Sequence, residues 1–258
     1  MLAGWRERGL ARSFAVDPSP AAAGLAGPAA AGLAGPDLAV VSGLEAVPAD
    51  FAPAAVILAV KPQVAAETLP AYRRFAASAV FLSIMAGRTI GGMTDLLGPD
   101  AAIVRAMPNT PAAIRQGVTV ACPSARVAPA QRRLCDTLLS AIGTVAWVAD
   151  EALLDPVTAV SGSGPAYVFL LAELLERAAI EQGIPADLAR VLARQTVAGS
   201  GALLAASPED SAALRVAVTS PGGTTAAALE VLMNDDAWPR TMRRAIDAAT
   251  ARSRALAG

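Results

Sequence analysis

The hydrophobic pattern of the chain changes its period near residue 150. Before that point, short apolar runs alternate with stretches of helical spacing. Ser13–Val16, Leu38–Val41, Ala54–Val60, Ala79–Ile84, Ala101–Arg105, Gly117–Ala121 and Thr144–Val148 read as strands. The run from Ala54 is uncharged and rich in Val and Ile, so it reads as a buried strand. Residues 63–75 and 129–141 read as helices. Residues 21–36 hold the octapeptide Ala-Ala-Ala-Gly-Leu-Ala-Gly-Pro twice over, and its glycines and prolines predict short turns or a loose loop rather than a long helix. This alternation predicts an α/β fold with a mostly parallel, doubly wound sheet.

After Asp150 the strands stop. Residues 151–160, 167–182, 186–206, 211–218 and 224 onward suit helices, broken at Gly183-Ile-Pro185 and Ser207-Pro208. The pattern therefore predicts two domains, 1–149 and 150–258. The helical half carries long faces of Ala, Leu and Val with few charges, which predicts burial against a partner chain. No apolar run looks long enough to cross a bilayer: the longest, Ala166–Ala172, meets Glu173, Glu176 and Arg177. The opening Met1–Arg8 is charged and helix-like, unlike a signal peptide.

One corner of the helical half stands out. Residues 219–225, Thr-Ser-Pro-Gly-Gly-Thr-Thr, separate the apolar helical runs Ala212–Val218 and Ala226–Met233. Pro221 is expected to end the first helix, Gly222 and Gly223 to free the backbone, and Thr224 or Thr225 to cap the next helix. Such a corner leaves backbone N–H groups free at a helix N-terminus, where anions and carboxylates bind. A plain helix–helix turn would need only Pro-Gly-Gly; the added hydroxyls favour a site.

Composition narrows the chemistry. The formal charge of the 258 residues is −1, which gives no footprint for nucleic acid or an anionic membrane. Histidine is absent and Lys61 is the only lysine, so imidazole catalysis is excluded and lysine chemistry is confined to one position. Cys122 and Cys135 lack metal-ligand spacing and suit a reduced, cytoplasmic protein; no metal site is expected. Three loops follow strands in the first half: Lys61-Pro62, Ala86-Gly87 and Met107–Pro111. Ligands bind at the carboxyl ends of strands in such sheets, so the three together predict a cleft.

Several of these segments resemble the pyrroline-5-carboxylate reductase family. They are Asp155–Phe169 (Asp-Pro-Val-Thr-Ala-Val-Ser-Gly-Ser-Gly-Pro-Ala-Tyr-Val-Phe), Val60-Lys-Pro-Gln63, Met107–Pro111, Gln195-Thr-Val197 and Val218–Thr225. They occur in the family's order over nearly the whole chain. Pro156 departs from the family's usual alanine. At the start, Met1–Trp5 looks like the middle of the helix that follows the family's first strand and Gly-x-Gly-x-x-Gly turn. The expected fold is thus Rossmann-like with that strand missing, followed by an all-helical dimerisation and substrate-binding domain. The chain as written is expected to bind NAD(P)H weakly and to have a loosened first domain.

The resemblance implies hydride transfer from NADPH or NADH to 1-pyrroline-5-carboxylate, giving L-proline. It implies Thr225 as the catalytic residue, orienting the ring nitrogen, and Ser220, Gly222, Gly223, Thr224 and Thr225 as the substrate site. It puts the cofactor against Asp17, Ser19, Ala59, Val60, Lys61, Pro62, Ala86, Gly87 and Asn109. Asp17, at a strand end, favours NADH by taking a ribose hydroxyl, while Ser19 suits a 2′-phosphate and the resemblance leans to NADPH. The implied assembly is a homodimer, with a decamer of dimers as the larger alternative. Two rivals remain at this stage. A β-hydroxyacid dehydrogenase needs a lysine in its second domain, and none follows Lys61. A protein keeping only the helical assembly surface would not bind NADPH tightly.

Overall fold

A computed structural model describes residues 1–18 and 37–257. The octapeptide repeat and Ser19 lie outside the described residues. In chain order the elements are α1 (Leu2–Glu7), β1 (Ser13–Val16), β2 (Leu38–Val41), β3 (Ala55–Leu58), α2 (Ala65–Thr68), β4 (Val80–Ser83), α3 (Ile90–Leu97), β5 (Ala102–Met107), β6 (Gly117–Pro123), α4 (Pro129–Ser140) and β7 (Gly143–Trp147). The helical half follows: α5 (Leu154–Val157), α6 (Gly164–Glu181), α7 (Ala186–Ala206), α8 (Ser211–Ala217), α9 (Thr224–Leu232) and α10 (Trp238–Ala257).

Every predicted strand forms: β1 and β2 as expected, β3 and β4 shorter, β5 and β6 running two residues further, and β7 one residue earlier. They make a parallel pair, β1-β2, and a second sheet in the order β3-β4-β5-β6-β7, whose single antiparallel pair is β5-β6. Among the described residues no ladder joins the two sheets. The larger sheet is covered on both faces, as parallel sheets require. Because side chains alternate along a strand, Phe81 and Ile103 pack one way, with Leu69, Phe75, Met93 and Leu97. Val80, Leu82, Ala102 and Val104 pack the other way, with Cys135 and Leu139 of α4. Outside α4, α1 is pinned by the Trp5 indole, which donates to Leu138 O at 2.7 Å, and by an ion pair between Glu7 and Arg115.

Two helices differ from the sequence pattern. The predicted helix over 63–75 is regular only at α2, flanked by tighter 3₁₀ turns at Pro62–Val64 and Leu69–Phe75. Pro70 lacks the N–H that a continued helix needs. The helix α3 was not expected, because Gly91 and Gly92 weaken helical propensity. It forms because Thr89 caps it, its hydroxyl accepting from Gly92 N–H at 3.1 Å, and because Met93 and Leu97, four apart, are fully buried.

The change from strand to helix falls at 150 as expected, but compactness divides the chain elsewhere. One unit is Met1–Gly162 with Arg252–Gly258; the other is Ser163–Ala251. The end of α10 therefore belongs with the sheets, where Ser253 Oγ donates to Asp155 at 2.7 Å. In the helical unit, α6 and α7 form a hairpin turned at Gly183, whose φ is 87°. Arg190 and Glu176 pair across it at 3.2 Å.

The expectation about membrane-length helices needs correction. Residues Glu151–Glu181 run as one helical stretch with mean hydropathy 1.3, long and apolar enough by length and composition to cross a bilayer. A wide π turn at Thr158–Gly162 joins segments that the glycines of Ser161-Gly-Ser-Gly164 suggested were separate.

Candidate active site

The helical unit contains the Ser220–Thr225 corner. Helix α8 starts under a side-chain cap from Asp210, which accepts from Ala213 N–H at 2.8 Å, and ends at Ala217. Pro221 is thus not the residue that stops it: the chain leaves the helix at Val218, and Thr219 turns back, its hydroxyl donating to Arg215 O at 2.7 Å. Ser220-Pro-Gly-Gly223 then forms a turn closed by Gly223 N–H to Ser220 O at 3.0 Å. Gly222, at φ 66°, takes the left-handed position that a Pro-Gly turn demands. Gly223 is extended and is itself the N-cap of α9, so neither Thr224 nor Thr225 caps the helix as expected. The threonines lie one position further in, where their hydroxyls are not spent on the cap. The first intrahelical bond is Ala227 N–H to Gly223 O at 3.2 Å. The N–H groups of Thr224, Thr225 and Ala226 therefore have no partner within the helix and point out of its positive end. Thr225 is half-buried, and Ser220 and Thr224 are exposed.

The sheet unit contains the strand-end loops. Leu58, Ser83 and Arg105 are in register across β3, β4 and β5, so the loops that follow β3 and β4 leave the same edge at the same level, with β5 running on to Met107. Ala59, Lys61 and Ala86 are exposed there; Val60, Pro62, Gly87 and Asn109 are half-buried. Asp17 ends β1, its N–H bonded to Val41 O at 3.0 Å. Asn109 is held by an Oδ1 bond from Val118 N–H at 2.9 Å, which fixes the Met107–Pro111 loop to β6. The loops are also joined to one another: the Arg88 guanidinium donates to Pro62 O at 2.6 and 3.0 Å. Gly87 is required on two grounds. Its φ is 70°, and a Cβ would lie 2.9 Å from Leu256 O at the end of α10. Level loops with exposed small side chains leave room for a flat ring at this edge, and Lys61 adds a positive charge there; Asp17 follows β1, in the other sheet.

Behind the loops lies a pair that sequence reasoning missed, a buried Arg105 and a half-buried Glu151. Arg105, 6% exposed, donates to Glu151 Oε1 at 2.8 Å, and the same oxygen accepts from Ile90 N–H at 2.8 Å. Cys122 lies beside this pair. Burial raises its thiol above the usual range, with the Glu151 carboxylate adding to the effect and Arg105 opposing it. Cys135, buried against the sheet, is pushed up to about 12 by burial. Both thiols are free and neither is an activated nucleophile. Among the described residues no three potential ligands gather into a metal site.

Comparisons with known proteins agree on one family. Residues 151–256 match the family model for pyrroline-5-carboxylate reductase dimerisation. A pyrroline-5-carboxylate reductase of Pseudomonas aeruginosa is 39% identical over 206 residues, covering 78% of this chain and 74% of its own. The chain belongs to the pyrroline-5-carboxylate reductase family. Its fold follows suit. The pyrroline-5-carboxylate reductase of Coxiella burnetii superposes with a TM-score of 0.89 at 29% identity, covering all 100% of this chain and 93% of that one. The Plasmodium falciparum pyrroline carboxylate reductase, solved with NADP bound, gives 0.70 at 30% identity over 80% of this chain and 78% of that one. Within this chain, the corner at 220–225 falls in the segment matched by the dimerisation model, and the strand-end loops precede it.

Proposed function

We propose that this chain reduces 1-pyrroline-5-carboxylate to L-proline with NADPH or NADH, the last step of proline biosynthesis. The observation that carries the reading is the Ser220–Thr225 corner in a chain of this family: three N–H groups at a helix N-terminus beside hydroxyls not used by the cap. The substrate presents a carboxylate and a ring imine. The N–H groups of Thr224, Thr225 and Ala226, with the Ser220 hydroxyl, hold the carboxylate. The helix terminus contributes about 0.3–1 kcal/mol to that placement, and up to ~2 kcal/mol if the site is partly buried. The Thr225 hydroxyl orients the ring nitrogen. The chain has no histidine to deliver a proton, so the imine arrives protonated or takes its proton from solvent. A dinucleotide held at the strand-end loops would supply the hydride that the imine carbon accepts. In the product C=N has become C–N and the nitrogen keeps its proton.

On the sheet side, Lys61, Pro62, Ala86, Gly87 and Asn109, with Ala59 and Val60 leading in, hold the cofactor, and Asp17 takes a ribose hydroxyl. Ser19 stays an alternative partner for a 2′-phosphate. The helical unit assembles as a homodimer and, in the larger alternative, as a decamer of dimers. We place the Glu151–Glu181 helix against a second copy rather than in lipid, because it lies within the segment that matches a dimerisation model. The two free cysteines suit a reducing cytoplasm. The test is direct: purified protein with NADPH and 1-pyrroline-5-carboxylate should yield L-proline in step with NADPH oxidation, and a protein yielding none would overturn the reading.

A further inference from the structure

We propose that Glu151 is a positioning residue for the cofactor loop, acting through the Ile90 N–H while Arg105 holds its carboxylate in place. The loop runs from Ile84 to Thr89, between β4 and α3, and carries Ala86 and Gly87. In its middle the Arg88 guanidinium ties it to Pro62 O, while Gly87, at φ 70°, gives the backbone more freedom than another residue would. Polar side chains fix both ends as well. At its start, the fully buried Ser83 hydroxyl accepts from Met85 N–H at 3.2 Å. At its end, Glu151 Oε1 accepts from Ile90 N–H at 2.8 Å, at the first turn of α3. The same oxygen takes Arg105 Nη1 at 2.8 Å, and Arg105 stands in β5 directly beside Ser83 of β4.

Glu151 is thus bonded to the loop's exit and to the strand next to the loop's entry. A hydrogen bond between a charged carboxylate and a backbone N–H is stronger than a neutral one and more directional than packing. The rest of the Glu151 neighbourhood supports a fixed geometry. Asp150 caps the following turn, accepting from Ala152 N–H at 2.9 Å, and Leu154 is fully buried against Val120 and Cys122. The carboxylate therefore projects from an anchored backbone. A misplaced loop would cost cofactor affinity before it cost substrate affinity, because Ala86 and Gly87 face the cofactor in the function proposed above, on which this inference rests.

Two variants separate reach from charge. Glu151→Gln keeps the length and an accepting oxygen but loses the charge. Glu151→Asp keeps the charge but falls short by one methylene. Two measurements apply to each variant in the intact chain: NADPH affinity by titration, and hydrogen exchange of residues 84–92 without cofactor. Positioning predicts that Glu151→Asp binds NADPH about five- to twentyfold more weakly, the effect of losing one modest hydrogen bond. The same variant should exchange faster at 84–92, while Glu151→Gln, which keeps the reach but leaves Arg105 without its counter-charge, should fall between the parent and Glu151→Asp in both. The opposite order, with Gln impaired and Asp normal, would overturn the proposal in favour of a purely electrostatic role. Exchange at 84–92 unchanged in both variants would also overturn it, whatever the affinity. If the parent protein binds no NADPH, the function reading fails, and the exchange measurement still decides whether Glu151 holds the loop.

Discussion

The two compact units of this chain treat apolar side chains in opposite ways. In the sheet unit Phe81, Leu82, Ile103, Leu139 and Leu154 are fully buried within the chain. In the helical unit only Ala189 and Ala193 are buried, while Phe169 is 67% exposed and Val191 61%. The contrast is not one of composition, since both halves are rich in Ala, Leu and Val. It is one of where the second layer comes from. The sheet finds its covering helices in the same chain; the apolar faces of the helical unit lie in the segment that matches a dimerisation model. The chemistry divides the same way in the function proposed here, with the cofactor loops in one unit and the substrate corner in the other.

The largest expected effect comes from breaking the helical side. If Phe169 is buried between two copies, Phe169→Glu removes about 1.5–3 kcal/mol from each of two symmetric contacts. The dimer should then dissociate roughly 10² to 10⁴ times more readily, as read by sedimentation against concentration. A dimer of unchanged strength would mean that this face is not the interface. On the sheet side, Phe81→Ala should cost about 3–5 kcal/mol by opening a cavity in a filled core. Its lowered melting temperature should not depend on protein concentration; a dependence would show that the sheet unit, too, is completed by a partner.

The smallest effect is one of pH. Burial raises the Cys135 thiol to about 12, against 9.0 for a free thiol. The folded state therefore keeps the proton that the unfolded state gives up. This contribution is intact below pH 9 and is lost as pH rises from 9 toward 12, at about 1 kcal/mol per pH unit. Cys135→Ala should flatten the fall in melting temperature over that range. An identical slope in parent and variant would show that the buried thiol does not ionise on unfolding.

The strands of the sheet unit were legible because runs such as Ala55–Leu58 and residues 79–82 are continuously apolar, which is what a sheet covered on both faces asks for. The corner at 220–225 was legible as a corner, but its cap was not. The type of turn decides whether glycine or threonine lies at the N-cap, and one residue of shift frees the threonine hydroxyls. Helix α3 was hidden by Gly91-Gly92, although Thr89 with Met93 and Leu97 was the signal that reveals it. The Arg105–Glu151 pair was not visible, because neither residue sits in a motif and their meeting depends on how the 3₁₀ turn at Glu151–Leu153 lands on β5. The contact of Leu256 with Gly87 was hidden for the same reason: local pattern carries no information about where the last turn of α10 returns.

The measurement that bears most directly on the division of labour is steady-state kinetics of Thr225→Val, with NADPH and 1-pyrroline-5-carboxylate varied separately. Thr225 lies in the helical unit and its hydroxyl is not spent on the helix cap. Losing one hydrogen bond to a charged nitrogen, about 1.5–3 kcal/mol, should lower kcat roughly ten- to hundredfold. The KM for NADPH should stay as in the parent if, as proposed, the cofactor is held by the other unit. An unchanged kcat would remove Thr225 from the reaction, and a raised KM for NADPH would contradict the separation of cofactor and substrate chemistry between the two units.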